Sequence, residues 1–195
     1  MRECSHKTMT FEDVRACINA NRTDVLGRSE SGQMRYIDAM MSVKARYANV
    51  SDYILITKFG FAEIARTGDN KLRAHLPNDV HGHEKLRQLV WTVNDFPYNF
   101  ASDVKSYIIW KLGEGDVKII QEEIDIALED IKKQLGTLYK EHVCFESAPN
   151  LNSIPGLAHI HLLVQTRSHY EDVILRQYKD LDLAPTLDGF RYASK

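Results

Sequence analysis

The sequence predicts an α+β fold, in which a long helix packs on one face of an antiparallel sheet and a helical region precedes the sheet. Apolar residues recur at helical spacing through most of the chain before Gly60. Farther along, the longest amphipathic helix stands between two strand-like segments, the first of them rich in aromatic and β-branched residues. A third apolar segment alternates like a strand and carries two histidines. This order of elements is typical of segregated α+β proteins.

Three helices are predicted in the N-terminal region. Thr10 is placed to cap a first helix from Phe11 to about Asn19. A second helix is expected from Ser31 to Tyr47, and a short third one from Ser51 to about Phe59. The apolar residues expected to face inward on the second helix are Met34, Ile37, Met41 and Val43.

The sheet is predicted to begin after a turn-rich boundary. The segment from Leu86 to Val93 is apolar enough to be a strand or the end of a helix. Pro97 then moves Phe96 out of helical backbone, and a strand follows from Ser106 to Lys111. These signals divide the chain into an N-terminal helical region (1–80), an α+β core (81–183) and a loosely attached tail (184–195).

The strongest helix is predicted from Val117 to about Leu135, with Asp116 as its cap and Gly136 as its stop. Its apolar side repeats every three or four residues, as a helix on a sheet requires. The residues expected on that side are Ile120, Ile124, Leu128, Ile131 and Leu135.

Composition and charge limit the partners. Apolar residues make up 44% of the 195 positions and charged residues 27%, as in ordinary globular chains. A net charge of -2 argues against nucleic-acid polymers and anionic membranes, whereas a local basic pocket for a small phosphorylated ligand stays compatible with it. No apolar run reaches bilayer length, and the polar start lacks a signal segment, so a cytoplasmic protein with reduced cysteines is expected. A homodimer is compatible with these features.

The histidine segment carries the chemistry. A strand from Tyr139 to Glu146 leads through a loop into it. In an extended chain His159 and His161 share a face, while the residues between and beside them line the other. Two neutral imidazoles side by side can hold a metal ion, or one can attack an electrophile while the other positions it. The pattern alone does not choose between these roles.

Two resemblances add to this interpretation. The first is carried by segments in the same order along most of the chain: Met9 to Asp13, Leu26 to Ser29, Arg35-Tyr36, Tyr53, Asn94 to Tyr98, Trp110, and Ser153 to His161. They resemble the family typified by fungal N-acetylglucosamine-induced protein 1. The name of that family records induction by an amino sugar and not a reaction. The resemblance therefore implies a link to amino-sugar metabolism and no particular reaction.

The second resemblance covers about Asp95 to Arg167, where a proline loop, strand, long helix, strand and His-x-His-x-Leu follow each other. This order is similar to the histidine-triad (HIT-like) superfamily and implies a nucleotide hydrolase or transferase whose middle histidine attacks phosphorus. In one register His161 is the nucleophile and Leu163 replaces the third histidine. In the other register Leu157 replaces the first histidine, and His159 is the nucleophile. Ser106 stands near a position where that superfamily commonly has another histidine.

A phosphorus centre needs cations or amides around it, and an imidazole needs a partner that positions it. Asp95 either caps its turn or reaches into a pocket, and Tyr98 either packs or stacks on a base or sugar. Arg28, Arg35 and Tyr36 are interpreted as structural ties or surface groups, with a phosphate-binding role left open. The predicted substrate-binding residues are Asp95, Tyr98, Lys111, Glu146, Asn152, Ser153 and Arg167.

The leading hypothesis is therefore a protein that binds a nucleotide or nucleotide-sugar and transfers or hydrolyses its phosphoryl linkage through His161. An alternative makes His159, His161 and Glu146 a site for a divalent metal such as zinc or iron. A third hypothesis is a non-catalytic sensor or regulator of amino-sugar metabolism that keeps the pocket without turnover.

Overall fold

The structure is a computed structural model that describes residues 4–65, 68–75, 89–112, 118–147, 154 and 156–167. These residues form four helices and two antiparallel sheets, which confirms the predicted α+β class with a helical N-terminal region. The helices are α1 (Phe11–Asn19), α2 (Glu30–Arg46), α3 (Val50–Thr57) and α4 (Gln121–Leu135). The strands are β1 (Glu63–Ala65), β2 (Leu72–Ala74), β3 (Leu89–Val93), β4 (Val104–Lys111), β5 (Tyr139–Phe145) and β6 (Ala158–Thr166).

Short polar side chains start the N-terminal helices. Thr10 Oγ1 accepts from the Asp13 N–H at 3.2 Å, and the Asp13 carboxylate accepts from the Thr10 N–H at 3.1 Å. This reciprocal pair satisfies amides that the first turn of α1 leaves unbonded. Ser29 and Asn49 cap α2 and α3 with one hydrogen bond each, since their side-chain oxygens accept from the N–H groups of Gly32 and Asp52. The predicted bounds of α1 are confirmed.

The predicted inward face of α2 is wrong at two positions. Met34 and Met41 are 56% and 65% exposed, although Val43 is buried as expected. The inward face is instead formed by Gln33, Tyr36, Met40 and Val43, which are spaced by three and four residues along the helix. A polar residue takes the inward position because the Gln33 side chain accepts a hydrogen bond from Arg28 at 3.5 Å.

The larger sheet has the order β3-β4-β6-β5, and each neighbouring pair is antiparallel. The sequence allowed either a strand or the end of a helix for the segment from Leu86 to Val93. Its described part is a strand, β3 (Leu89–Val93). In the register of the two central strands, Ile108 lies opposite His161 and Trp110 opposite His159. β6 is hydrogen-bonded on both sides, so its register is fixed by two partners.

Helix α4 covers one face of this sheet. Its residues Ile124, Leu128, Ile131 and Leu135 pack with an apolar sheet face formed by Tyr107, Ile109, Ile160, Leu162 and Val164. Gly136 ends the helix with a positive φ of 54°, as predicted.

The start of α4 differs from the prediction. The helix begins at Gln121, and its first free N–H, that of Ile120, donates to the Glu123 carboxylate at 2.9 Å. Asp116, the predicted cap, lies outside the described residues. Ile120 precedes the first helical turn and is exposed, so it does not belong to the packed side of the helix.

Helices α1 and α3 cover the opposite face of the sheet. Phe11 and Val14 of α1 share an apolar cluster with Val104 and Leu163. Residues of α3 and the chain after it share a second cluster with Ile108, Trp110 and Leu157. The N-terminal region thus packs directly on the sheet. Its predicted boundary near residue 80 and the predicted tail (184–195) lie outside the described residues.

Among the described residues, no helix is long and apolar enough to cross a membrane.

Burial on α4 predicts a sharp contrast between two identical substitutions. Ile131 is 1% exposed and Ile126 is 42% exposed on the same helix. We expect Ile131→Ala to lower the free energy of unfolding by about 3 kcal/mol, because it leaves a cavity against the sheet. Ile126→Ala is expected to cost less than about 1 kcal/mol. Urea unfolding followed by circular dichroism measures both, and equal losses would contradict this packing.

Candidate functional site

A cavity of about 280 Å³ lies between the sheet and the helical layer. Its walls come from the inward faces of α2 and α3, the turn after β3, the C-terminal half of β4 and the N-terminal half of β6. His159 and His161 both line it. They reach it because side chains alternate along β6, so their neighbours Ile160 and Leu162 pack against α4 instead. The two predicted catalytic residues therefore border one cavity.

The imidazole of His159 is held in a defined state. Its Nδ1 donates to the Leu157 carbonyl at 2.8 Å, so in the neutral ring the lone pair is on Nε2. The ring also packs against Trp110, with centroids 5.2 Å apart. Burial lowers the pKa of His159, while the bond to Leu157 and the charge of Glu146 offset part of that effect. The neutral form, which is the nucleophilic one, is favoured near pH 7.

His161 is packed more tightly than His159. Its ring stacks on Phe145 with centroids 4.8 Å apart and planes 10° apart, and it lies 5.8 Å from the Tyr98 ring. His161 Nε2 is 3.3 Å from the Ser147 hydroxyl. The His159 and His161 centroids are 5.9 Å apart. This environment fixes the orientation of His161 between aromatic rings.

Arg28 brings a cation to the cavity wall. Its guanidinium lies 4.0 Å from the ring centroid of Tyr36 and 5.4 Å from that of Tyr98. Its Nε donates to the Phe96 carbonyl at 3.0 Å. The interpretation of Arg28 as a structural tie is consistent with these contacts, and its position on the cavity also keeps the phosphate-binding role open.

A second cation, Lys58, follows the end of α3 and also lines the cavity. Its Nζ lies 2.6 and 2.7 Å from the two carboxylate oxygens of Asp95. The turn after β3 is capped by Asn94, whose side chain accepts from the Phe96 N–H at 3.1 Å. Of the two roles considered for Asp95, the structure therefore gives it the place in the pocket wall and gives the turn to Asn94.

The remaining predicted binding residues are distributed differently. Tyr98 lines the cavity. Lys111 follows Trp110 by one residue, so it points to the other face, where Glu123 pairs with it at 2.6 Å. Arg167 is exposed beyond the end of β6 that is remote from His159. Glu146 is exposed beside Ser147, and Asn152 and Ser153 lie outside the described residues. The structure thus does not bring Lys111 or Arg167 to the cavity.

The metal hypothesis gains no third ligand from this geometry. Within the described part of the chain, no three His, Cys, Asp or Glu side chains lie close enough together to hold a metal ion. The two imidazoles border the cavity, whereas Glu146 acts on His159 through its charge.

Thr92 and Lys58 are two cavity residues that had not been singled out from the sequence. Trp110 Nε1 donates to the Thr92 hydroxyl at 2.8 Å, and Asn94 Nδ2 donates to the Ser106 hydroxyl at 3.2 Å, both in buried surroundings. The sequence did carry a signal for Thr92, because a polar residue inside an apolar strand such as β3 indicates a buried hydrogen bond. Lys58 gave no such signal, because basic residues are common at the ends of helices.

The buried position of His159 predicts its titration. We expect an imidazole pKa below the ordinary 6.5, because burial disfavours the charged ring. The unfolded chain then takes up a proton before the folded chain does, so this group lowers stability as the pH falls below 6.5. NMR titration of the ring proton, assigned by its loss in His159→Gln, measures the midpoint. A midpoint at or above 6.5 would contradict the expected state.

Comparisons with known proteins support the fold. The crystal structure of HTC1 is similar over 94% of this chain and 98% of its own, with a TM-score of 0.56 and 19% sequence identity. At that identity the similarity establishes the fold alone. No curated protein matches the chain. The family described as "Protein of unknown function (DUF3605)" matches residues 10–165, which include both histidines and most of the cavity wall, and the chain belongs to that family.

Proposed function

We propose that this protein binds a small phosphorylated ligand, a nucleotide or a nucleotide-sugar, in the cavity and that a histidine there acts as a nucleophile toward phosphorus. The observation that carries the proposal is the state of His159, a neutral ring whose Nδ1 is fixed by a carbonyl in the wall of a cavity. An imidazole held in this way has one nitrogen fixed and the other available as a nucleophile.

The surroundings support an anionic ligand. Arg28 is a cation in the same wall, Lys58 adds an ammonium group that is paired with Asp95, and the two histidines add hydrogen-bonding groups. Guanidinium and ammonium groups are the side chains that bind phosphate oxygens best. Aromatic residues, among them Tyr53 and Phe96, supply apolar surface on which a base or sugar ring packs. The combination fits an amphiphilic ligand with a charged end.

The chemical step follows from these groups. His159 Nε2 attacks phosphorus, and an N–P bond forms while the P–O bond to the leaving group breaks and its electron pair goes to the leaving oxygen. Water or an acceptor hydroxyl then attacks the same phosphorus, the N–P electron pair returns to Nε2, and the attacking oxygen loses its proton. In this proposal Arg28, which lines the same cavity, supplies the cation that offsets the negative charge of the phosphoryl oxygens.

This assignment uses the second register of the histidine-triad resemblance, with Leu157, His159 and His161 at the three positions, and it therefore moves the nucleophile from His161 of the leading hypothesis to His159. The bond from His159 Nδ1 to Leu157 O supports it, because the backbone of the first position then orients the nucleophile. The stacking of His161 on Phe145 supports a positioning role for the last histidine. We also propose that the sheet of β3 to β6, together with α4 on one of its faces, forms a histidine-triad-like core.

A substitution series tests the nucleophile. Wild type is given adenosine and uridine mono-, di- and triphosphates and a uridine diphosphate sugar, with binding measured by calorimetry and turnover by nucleotide release. We expect His159→Ala to reduce turnover at least about 100-fold, because nothing replaces the attacking nitrogen. An acid-labile, alkali-stable phosphate on the wild-type chain is expected to disappear in this variant.

His75→Ala is the matched control, since His75 is exposed beyond β2 and does not line the cavity. His161→Ala is expected to lower both binding and turnover. Full turnover in His159→Ala would exclude that histidine as the nucleophile. Binding without turnover in the wild type would instead favour the non-catalytic sensor.

Arg28→Lys tests recognition of the anion. The substitution keeps the charge but removes the planar group that lies over Tyr36 and donates to Phe96 O. We expect the dissociation constant for the best nucleotide of the series to rise about tenfold. Arg35→Lys, at an exposed position of α2 outside the cavity wall, is the control. Equal affinity in both variants would remove Arg28 from the binding site.

A further inference from the structure

We infer that the ligand of this cavity carries a single phosphoryl group, and that Asp95 is the residue that excludes polyphosphates. This inference rests on the proposed function and narrows it to monophosphate esters. It assigns Lys58 and Asp95 a joint role in selecting the ligand by its charge.

The geometry of the pair is the first support. Lys58 Nζ contacts both carboxylate oxygens of Asp95, at 2.6 and 2.7 Å. The Lys58 side chain is 19% exposed and that of Asp95 is 42% exposed, so the lysine is the more enclosed member. A cation this close to a carboxylate is largely neutralised, and the pair adds little net positive charge to the wall.

The position of the carboxylate is the second support. Asp95 lines the cavity on the turn that also carries Phe96, whose carbonyl accepts from Arg28. By pairing with Lys58, the Asp95 carboxylate offsets the positive charge that would otherwise bind a second or third phosphate, so little in the wall compensates each further negative charge on a ligand. Burial, and then the charge of Asp95, raise the pKa of Tyr53, another residue of the wall.

The size of the cavity is the third support. About 280 Å³ lies just below the range of roughly 300 to 1,000 Å³ that is usual for small-molecule sites. A sugar or nucleoside with one phosphoryl group is a better match to this volume than a molecule that adds further phosphates.

A structural role alone does not explain where the pair lies. Asn94 already caps the turn, so Asp95 is not needed for the turn itself. A partly exposed ion pair also contributes little to stability. Lys58 and Asp95 both border the cavity, where they can select a bound ligand by its charge.

The experiment compares two charge-changing variants with opposite expected effects. Calorimetric titrations use AMP, ADP and ATP, and the matching uridine series, so that only the number of phosphates changes within a series. For the wild type we expect the monophosphate to bind at least about fivefold more tightly than the triphosphate. Asp95→Asn keeps the shape of the side chain and removes its charge, and we expect ATP or UTP affinity to rise about tenfold. Lys58→Met is expected to weaken binding of every nucleotide.

Asp125→Asn is the matched control, because it removes the same charge from an exposed position on α4, across the sheet from the cavity. It is expected to change each affinity less than about twofold. Asp95→Ser is a second variant without the charge, in case the asparagine disturbs the turn, and circular dichroism checks the fold of each protein.

The outcomes separate the two ideas. Tighter triphosphate binding in Asp95→Asn or Asp95→Ser, with Asp125→Asn unchanged, supports the inference. If the wild type binds nucleotides but removal of the Asp95 charge brings no gain for the triphosphate, the inference is wrong and the proposed function stands. If nucleotides bind to the Asp95 variants but not to the wild type, the result supports exclusion of nucleotides by Asp95. It contradicts the proposal that the natural protein binds nucleotides. If neither the wild type nor any variant binds a nucleotide, the inference about Asp95 and the proposed function are both wrong.

Discussion

The register of β6 between β4 and β5 is the constraint on which the rest of the structure depends. Because side chains alternate, the same pairing places Leu162 and Val164 against α4 and turns His159 and His161 toward the cavity. A slip by one residue would exchange these two sets and bury the imidazoles among apolar side chains. The free energy gained by burying one face of β6 therefore also fixes the site on the other face.

The cavity is apolar in much of its wall, yet its polar groups are positioned before any ligand enters. Trp110 donates a hydrogen bond to the Thr92 hydroxyl, and Asn94 donates one to the Ser106 hydroxyl. His159 donates one to the Leu157 carbonyl. Buried polar groups need such partners, and in a medium poor in water their interactions are strong. The aromatic surroundings thus hold the groups still and increase the effect of every charge among them.

Local signals in the sequence predicted much of the fold and one part of the site. The Thr10 cap, the Gly136 stop and the alternation around His159 each depend on residues close in the chain. The inward face of α2 was missed because Gln33 faces inward through its contact with Arg28. The Lys58–Asp95 pair joins residues 37 positions apart, and no local pattern marks it.

The cavity is built from segments at both ends of the matched region, since Arg28 and Lys58 come from the helical layer and the histidines from β6. During synthesis the helices leave the ribosome long before β6 does. Until that strand pairs with β4, the apolar residues of the helical layer that pack against it, such as Phe11 and Val14, lack that partner. A chain that ends before β6 lacks an internal strand of the larger sheet and both histidines of the cavity.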